Sequence, residues 1–345
     1  MNDYRACATA CVERLQQWYD WETGLWVSTG WWNVANCLEA VIDYSRLNNA
    51  DRYHAVVVNT FEKNKQGRFL NRYYDDKQWW GLTWIKAYDL LQDKHYLNMA
   101  SDIFRDVCSG WDSVCGGGVW WKKDRRYKNA ITNELFLTLA ARLYQRTHEE
   151  QYLAWALKEW QWFFQTGMLN EHNLINDGLS QNCRNNGQPT WTYNQGVILG
   201  GIVEMHRIAR DLSWQLSEST FDIATAMSIA DAAIITLIDA NGILMEPCEQ
   251  DGQDCGKDGP QFKGIFMRYL SSLSKTLIEE AIAPAAYDRY QQFVLRNADA
   301  LWTNNRHPAF NAFGLHWSGP VDTTDAARQT AALDVFNAAS LIKIP

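Results

Sequence analysis

Two consecutive carboxylates inside an aromatic segment are the strongest candidates for chemistry in this sequence. Residues 73–80 read YYDDKQWW, so Asp75 and Asp76 lie between two tyrosines and two tryptophans. Neighbouring Cα atoms are about 3.8 Å apart, and carboxyl groups that act as nucleophile and acid/base on a sugar lie roughly 5 to 5.5 Å apart. Adjacent residues can meet that spacing. The alternative is a solvated acidic helix cap.

The aromatic frame favours a site in which the two acids differ in protonation. Two carboxylates this close resist double ionisation, and burial among the flanking rings adds a desolvation penalty that raises the pKa of one of them. One acid then stays protonated beside an ionised partner, as a general acid and a nucleophile require. We therefore interpret Asp75 and Asp76 as a catalytic pair.

Tryptophan is unusually abundant, with 18 residues in a chain of 345. Tryptophan doublets at 31–32, 79–80 and 120–121 stand beside polar residues instead of inside apolar runs. Flat aromatic faces next to hydrogen-bonding groups suit sugars, which have apolar C–H faces and a polar rim. For any single tryptophan, a place in the core is an equally good interpretation.

Charge and hydropathy exclude several classes of protein. The net charge is −8 and the longest basic cluster is KKDRR at 122–126, which argues against binding to nucleic acid phosphates. No apolar run approaches the roughly 18 to 20 residues that span a bilayer. The first residues, MNDYRACATACVERL, carry charges where a signal peptide has an apolar stretch. We expect either a cytosolic protein or a trimmed, mature form.

The eight cysteines do not show the CxxC spacing of zinc or thioredoxin-like sites. Cys108 with Cys115, and Cys248 with Cys255, bracket short loops in the manner of small disulfides. Ordinary buried thiols are the alternative. If the disulfides form, the compartment is oxidising.

Apolar spacing of three and four residues predicts helices almost throughout the chain. Six segments are apolar on nearly all sides, which indicates burial all round; they lie at 31–46, 78–92, 128–145, 193–209, 263–277 and 328–342. One-sided helices alternate with them, near 3, 51, 95, 149, 215 and 285. This alternation predicts an all-α (α/α)6 barrel of six helical hairpins, a single catalytic domain over residues 1–345. The only strand candidate of note is 119–121.

Each buried segment opens with polar or aromatic residues. If all six run the same way, their N-termini meet at one mouth of the barrel, where unpaired backbone N–H groups and positive dipole ends converge. A polar, aromatic-walled pocket is expected there, with Asp75 and Asp76 at its rim. Helix capping alone is the alternative, and it explains one or two such openings better than six.

With these residues assembled, the chain resembles glycoside hydrolase family 76, the α-1,6-mannanases and their relatives. The matching stretches run in the family's order along almost the whole chain: YYDDKQWWGLTWIKAYDL (73–90), CGGGVWW (115–121), KNAITNELFLTLAARLY (128–144), LINDGL (174–179), TYNQG (192–196), QFKGIF (261–266) and HWSGP (316–320). The resemblance implies an (α/α)6 fold, endo-acting cleavage of α-1,6-mannosidic linkages with retention, an α-mannan or related glycan as partner, and no cofactor or catalytic metal. It also suggests a secreted or cell-surface location.

The resemblance implies roles for individual residues. Asp75 corresponds to the nucleophile and Asp76 to the general acid/base. From the family motifs and the proposed mouth, the expected sugar contacts are Trp31, Trp32, Trp79, Trp120, Trp121, Asn129, Asn133, Asp177, Tyr193, Asn194 and Gln195. Glu134 follows Asn133 directly but could face inward, so it is not included.

Three alternatives remain at this level. A transglycosylase on α-mannan or cell-wall glycan would use a sugar hydroxyl in place of water. A non-catalytic glycan-binding protein would keep the groove without turnover, although both aspartates are present. A terpene cyclase would need DDxxD to hold magnesium, and the run from Asp75 to Trp79 lacks the third carboxylate.

Overall fold

The computed structural model describes residues 2–213, 222–250, 252 and 255–342. By its internal contacts the chain divides into two compact units. Unit 1 comprises Met1–Gln66 and Ile234–Pro345, and unit 2 comprises Gly67–Ala233. Each unit contains its own packed set of helices. A single domain over residues 1–345 stays a prediction.

Helices form most of the described chain, and strands occur only as two short hairpins. The α-helices are α1 (Tyr4–Gln16), α2 (Trp31–Asn48), α3 (His54–Asn64), α4 (Tyr74–Leu91), α5 (Lys94–Cys108), α6 (Ala130–Thr147), α7 (Glu150–Phe163), α8 (Thr192–Asp211), α9 (Ile223–Thr236), α10 (Pro247–Gln250), α11 (Phe262–Glu279), α12 (Pro284–Asn304) and α13 (Ala326–Ile342). The hairpins, both antiparallel, are β1 (Tyr19–Asp20) with β2 (Leu25–Trp26), and β3 (Arg306–His307) with β4 (Ala312–Phe313).

The predicted alternation of helices is confirmed along the described chain. The six segments that are apolar all round form α2, α4, α6, α8, α11 and α13, and the one-sided segments form α1, α3, α5, α7, α9 and α12. The start of the helix predicted near 215 lies outside the described residues, and α9 begins at Ile223. Residues 119–121 do not form a strand; Val119 makes a single bridge, to Trp111.

Helix α6 shows why the buried helices are apolar on every side. Its cap Asn129 accepts a bond from the Thr132 backbone N–H (3.4 Å), and every residue from Ala130 to Tyr144 is buried. Within unit 2 it packs against α4, α7 and α8, so water reaches little of its length. By contrast, α5 buries one stripe and leaves its other face in solvent.

The starts of α4, α6 and α8 are tied together at one end of unit 2. The Tyr74 N–H donates to the Trp121 carbonyl (2.8 Å), just ahead of α6. At the start of α6, the Ala130 N–H donates to the Asp177 carbonyl (2.8 Å). Gln195 in the first turn of α8 bonds both backbone groups of Ile175. These bridges bring three helix N-termini to the same end of the unit.

Of the two disulfides that the spacing suggested, Cys248–Cys255 is present and the pairing of Cys108 with Cys115 is wrong. Cys248 bonds Cys255, but Cys115 bonds Cys183 across 68 residues, and Cys108 is a free, half-buried thiol. Cys108 is the last residue of α5, whereas Cys115 lies at the tip of a turn closed by the pairing of Trp111 with Val119. The turn carries Cys115 to the loop that contains Cys183.

Within the described ranges, every helix is too short or too polar to cross a lipid bilayer.

Candidate active site

Asp75 and Asp76 occupy the first turn of α4, as its second and third residues. The N-cap, Tyr73, provides no side-chain bond, so backbone N–H groups of this turn are available to the two carboxylates. Asp75 Oδ2 accepts a hydrogen bond from the indole N–H of Trp121 (2.9 Å). Asp75 Oδ1 is shielded from solvent and has no partner among the described residues.

Burial and a neighbouring charge set the protonation of the pair. Burial is the larger influence and raises the pKa of Asp75 well above its ordinary value, and the charge of Asp76 raises it further. The Asp76 backbone N–H and the Trp121 indole N–H donate to Asp75 and oppose this rise. The pair therefore retains one proton at pH values where an ordinary aspartate has lost its own.

Asn71 holds the second carboxylate. Its amide nitrogen donates to Asp76 Oδ2 at 2.6 Å, and its own Oδ1 accepts the Tyr73 backbone N–H at 2.9 Å. The second bond is an Asx turn, which fixes the chain just before the helix starts. Sequence reasoning missed this residue, although an asparagine two positions before the cap of a helix is a recognisable signal.

The segment around Trp121 is held by backbone bonds and by Asn133. The Trp121 N–H donates to the Tyr127 carbonyl (2.8 Å). Asn133 accepts from the Val119 N–H (2.7 Å) and donates to the Val119 carbonyl (3.0 Å), so its amide is occupied by backbone. This bracing fixes the indole that bonds Asp75.

The glycine run at 116–118 forms a turn beside this segment. Gly118 has φ +86°, and a Cβ there would lie 2.3 Å from the ring of Trp162. The close approach and the left-handed conformation both require glycine. The turn allows Trp162 to pack under the loop that carries Trp121.

Trp120 joins a cluster of charged side chains. Its indole N–H donates to Asp112 Oδ2 (2.7 Å), and the buried ammonium of Lys128 bonds Asp112 Oδ1 (2.9 Å). A cavity of about 150 Å³ adjoins the cluster, lined in part by Trp120, Arg126, Tyr127 and Lys128. Trp120 is therefore mostly buried, with one edge on this cavity.

Asp177 is in the loop between α7 and α8, and its carbonyl accepts from the N–H of Ala130, the first residue of α6. Its side chain accepts hydrogen bonds from two further residues. The Tyr127 hydroxyl donates to Asp177 Oδ2 (2.5 Å), and Trp191 donates to the same carboxylate. Burial nevertheless raises the pKa of Asp177. Asn186 donates to the Tyr127 hydroxyl (2.9 Å), which leaves that hydroxyl free to donate to the carboxylate.

Several other predicted contacts are buried in unit 2. Trp79 and Asn129 are buried, and Gln195 is occupied by Ile175. Asn194 is fully buried, and its amide has no hydrogen-bond partner among the described residues. Tyr193 is half-buried in the first turn of α8. Contact of these side chains with sugar stays a prediction.

Trp31 and Trp32 belong to unit 1, at the start of α2. Both are half-buried, and the Trp32 indole N–H donates to Asp258 Oδ1 (2.7 Å) while its ring lies 6.1 Å from that of Phe262. Asn33 donates to Gln261 Oε1 (2.7 Å), which links the starts of α2 and α11. The structure thus places Trp32 beside the N-terminal end of α11.

Two glutamates are buried without a hydrogen-bond partner among the described residues. Glu134 lies in α6 and Glu159 in α7, and neither is exposed. Burial raises the pKa of each well above its ordinary value. The charges of Asp177 and Glu159 raise the pKa of Glu134 further.

Comparison with known proteins identifies relatives along the whole chain. The model of a family described as glycosyl hydrolase family 76 matches residues 5–343. Mannan endo-1,6-alpha-mannosidase DCW1 of Candida albicans is 24% identical over 268 residues, which cover 71% of this chain and 58% of the relative. DCW1 of Candida glabrata is 25% identical over 340 residues, which cover 91% and 73%. For the first three curated relatives, the matched share of their length is 58%, 59% and 63%.

A solved structure shows the same fold. The alpha-1,6-mannanase GH76A of Salegentibacter sp. HEL1_6 has a TM-score of 0.86 and 23% identity, with coverage of 99% of this chain and 100% of that one. It was solved as an inactive variant, with two consecutive aspartates replaced by alanine, in complex with alpha-1,6-mannotetrose. The predicted (α/α)6 barrel is confirmed by this match.

Proposed function

The chain belongs to glycosyl hydrolase family 76, and on this premise we propose that it is a retaining, endo-acting glycoside hydrolase that cleaves α-1,6-mannosidic linkages in mannan. The observation that carries the proposal is the pair Asp75–Asp76 in the first turn of α4, with one donor aimed at each acid. The names of its curated relatives, and the inactivation of the Salegentibacter mannanase at two consecutive aspartates, support it. A single catalytic domain over residues 1–345 is part of the proposal.

In the first step Asp75 attacks the anomeric carbon and Asp76 protonates the departing glycosidic oxygen. A bond forms between an Asp75 oxygen and the sugar, the glycosidic C–O bond breaks, and the proton of Asp76 leaves with the released chain. The Trp121 indole N–H fixes the orientation of Asp75, and Asn71 fixes that of Asp76. Both donors come from braced segments, so little reorganisation is needed during the reaction.

The shared proton must change its place before this step. In the free protein, burial favours the proton on Asp75, whereas the chemistry needs Asp75 ionised and Asp76 protonated. A glycosidic oxygen next to Asp76 accepts a hydrogen bond from the protonated acid and favours the second arrangement. The two N–H groups that donate to Asp75 stabilise its ionised form in the same state.

In the second step Asp76, now ionised, takes a proton from water. The water oxygen attacks the anomeric carbon, the bond to Asp75 breaks, and the configuration of the substrate is restored. A sugar hydroxyl in place of water gives transglycosylation through the same intermediate. Tyr127, by holding Asp177 at the start of α6, would present that carboxylate to sugar hydroxyls.

Product analysis on α-1,6-mannan tests the proposal. Wild-type protein should release oligosaccharides, and Asp75→Asn and Asp76→Asn should each reduce release at least about 10³-fold while the protein stays folded. Asp51→Asn is a matched control, because this side chain is 86% exposed in unit 1.

Other outcomes separate the competing functions. Transfer of mannosyl groups to an added acceptor sugar, at the expense of hydrolysis, would identify a transglycosylase. Binding of mannan without cleavage by the wild-type protein would identify a binding protein and contradict the proposal.

A further inference from the structure

A shallow cavity in unit 1 is built from residues that the proposed reaction does not use. Its volume is about 290 Å³, close to the lower limit of roughly 300 Å³ for ligand pockets. It lies between the end of α1, the turn of the β1–β2 hairpin and the start of α3. The lining residues are Glu13, Gln16, Trp21, Arg52, Tyr53 and Val56.

Trp21 forms an exposed aromatic wall that is held in place. It is 55% exposed, yet its ring contacts Tyr19 edge to face at 5.1 Å. The Trp21 carbonyl accepts from the side chain of Asn59 (3.1 Å), and the Thr23 carbonyl accepts from Asn64 (3.0 Å). Because the turn is pinned to α3, its backbone loses little freedom when a ligand binds.

Gln16 supplies an unused hydrogen-bond donor at this cavity. Its amide nitrogen is shielded from bulk solvent and has no partner among the described residues. A buried donor without a partner costs about 1–3 kcal/mol. Because the Gln16 side chain lines the cavity, rotation of its amide would present this donor to a ligand hydroxyl.

The remaining polar groups carry no net charge. Arg52 donates to Glu13 Oε1 at 3.1 Å, and its guanidinium lies 4.9 Å from the centre of the Tyr53 ring. The pair leaves further guanidinium N–H groups and a second carboxylate oxygen for hydrogen bonds. Such a set of donors and acceptors suits a neutral, hydroxyl-rich ligand better than an ion.

We propose that this cavity is a second glycan site, which holds one or two hexose residues of a neutral polysaccharide. The apolar C–H face of the sugar packs on the indole of Trp21, and its hydroxyls bond Gln16, Glu13 and Arg52. Identification of the polysaccharide as α-1,6-mannan rests on the proposed function. The site itself does not, because none of its residues takes part in the chemistry.

Affinity electrophoresis of the full chain tests the site. The gels contain α-1,6-mannan or a neutral β-linked glucan, and all proteins carry Asp75→Asn so that turnover cannot degrade the polymer. Trp21→Ala should weaken retardation by mannan about tenfold, equivalent to about 1.4 kcal/mol. Phe310→Ala is the matched control, since Phe310 is 60% exposed and does not line the cavity; its retardation should equal that of the parent.

A second variant guards against a general loss of structure. Gln16→Leu should also weaken retardation, while its melting temperature stays at or above that of the parent because a buried unpaired donor is removed. In the active background, Trp21→Ala should leave kcat/KM on α-1,6-mannotetraose within about twofold and lower it on the polymer.

The outcomes separate the site from the proposed activity. Retardation that depends on Trp21 in another neutral polymer, without mannan cleavage by the wild type, would support the site and reject the mannanase. Equal retardation of parent and Trp21→Ala, or no retardation by either polymer, would overturn the site.

Discussion

Asn71 offers the sharpest perturbation of the proposed acid/base, because one side chain makes two separable bonds. Its amide nitrogen donates to Asp76 Oδ2 at 2.6 Å, and its oxygen accepts the Tyr73 N–H. Asn71→Ala removes both bonds. Asn71→Asp keeps the acceptor for Tyr73 but replaces the donor with a second carboxylate next to Asp76.

The expected loss follows from the strength of the bond. A hydrogen bond to a charged group contributes about 1.5–3 kcal/mol, or about 10- to 150-fold in rate. Asn71 and Asp76 are both half-buried, and partial solvent screening places the loss in kcat for Asn71→Ala at about 10- to 50-fold. Asn71→Asp should lose more at neutral pH, because two carboxylates repel each other.

A pH profile separates positioning from a merely structural role. Loss of a donor to a carboxylate favours its protonated form, and the first step needs a protonated acid. The alkaline limb of the kcat/KM profile on α-1,6-mannotetraose should therefore move to higher pH in Asn71→Ala, and further in Asn71→Asp. KM should change by less than kcat.

Asn48→Ala is the matched control, because its amide belongs to unit 1 and donates to the Tyr44 carbonyl of the same helix (3.0 Å). It should keep the wild-type rate and pH profile. An alkaline limb that stays in place in both Asn71 variants, or a rate loss explained by a lower melting temperature alone, would refute the positioning role.

Three further predictions concern Asp75, Trp121 and the longer disulfide. Folding raises the pKa of Asp75, so the protonated carboxyl contributes fully to stability below its unfolded pKa, and this contribution is lost as pH rises through the folded pKa. Asp75→Asn should therefore have a higher melting temperature than wild type at pH 7, and the difference should shrink towards pH 4. Equal melting temperatures of the two proteins at both pH values would contradict this. Trp121→Phe removes the indole donor to Asp75 (2.9 Å), so kcat should fall about tenfold to 100-fold. Because this donor lowers the pKa of Asp75, the acidic limb of the pH profile should move to higher pH in the variant. An acidic limb at the wild-type pH would contradict the contact. Cys115→Ser with Cys183→Ser opens a loop of 68 residues and should lower the free energy of unfolding by about 2–4 kcal/mol. Removal of the Cys248–Cys255 disulfide, which closes a loop of seven residues, should lower it by less. A larger loss for the shorter loop, measured by denaturant titration, would contradict the pairing.

The fold could be predicted from the sequence because the alternation of fully apolar and one-sided helices repeats along the chain. Six segments that are apolar on all sides can be buried only if other helices surround them, and six one-sided partners provide the cover. Helix boundaries moved by a few residues. The α4 segment shows why, since its first turn, Tyr74 to Lys77, is polar and aromatic and does not carry the apolar signal.

The local contacts of the site could not be predicted in the same way. Asn133 was predicted as a sugar contact, and its two bonds to the backbone of Val119 were not predicted, because they depend on a loop 14 residues away that folds back onto α6. Trp121 was expected to line the sugar, and the structure shows that it also donates to Asp75. Such pairings depend on how loops return to the helix ends, which local spacing does not encode.

The partner of Cys115 was predicted wrongly for a related reason, whereas Cys248 bonds Cys255 as considered. The spacing of Cys108 and Cys115 was correct for a small loop, but the direction of each side chain depends on the end of α5 and on the turn that follows it. Cys183 belongs to a loop 68 residues further along. No local pattern connects the two.

Trapping of the covalent intermediate tests the central claim most directly. A mannosyl fluoride with a second fluorine on the ring forms the intermediate faster than water can release it, and peptide mass spectrometry then locates the attached sugar. A single mannosyl group on Asp75, in wild type and in Asp51→Asn, is the predicted result. A sugar on any other residue, or no attached sugar together with products of inverted configuration, would contradict it.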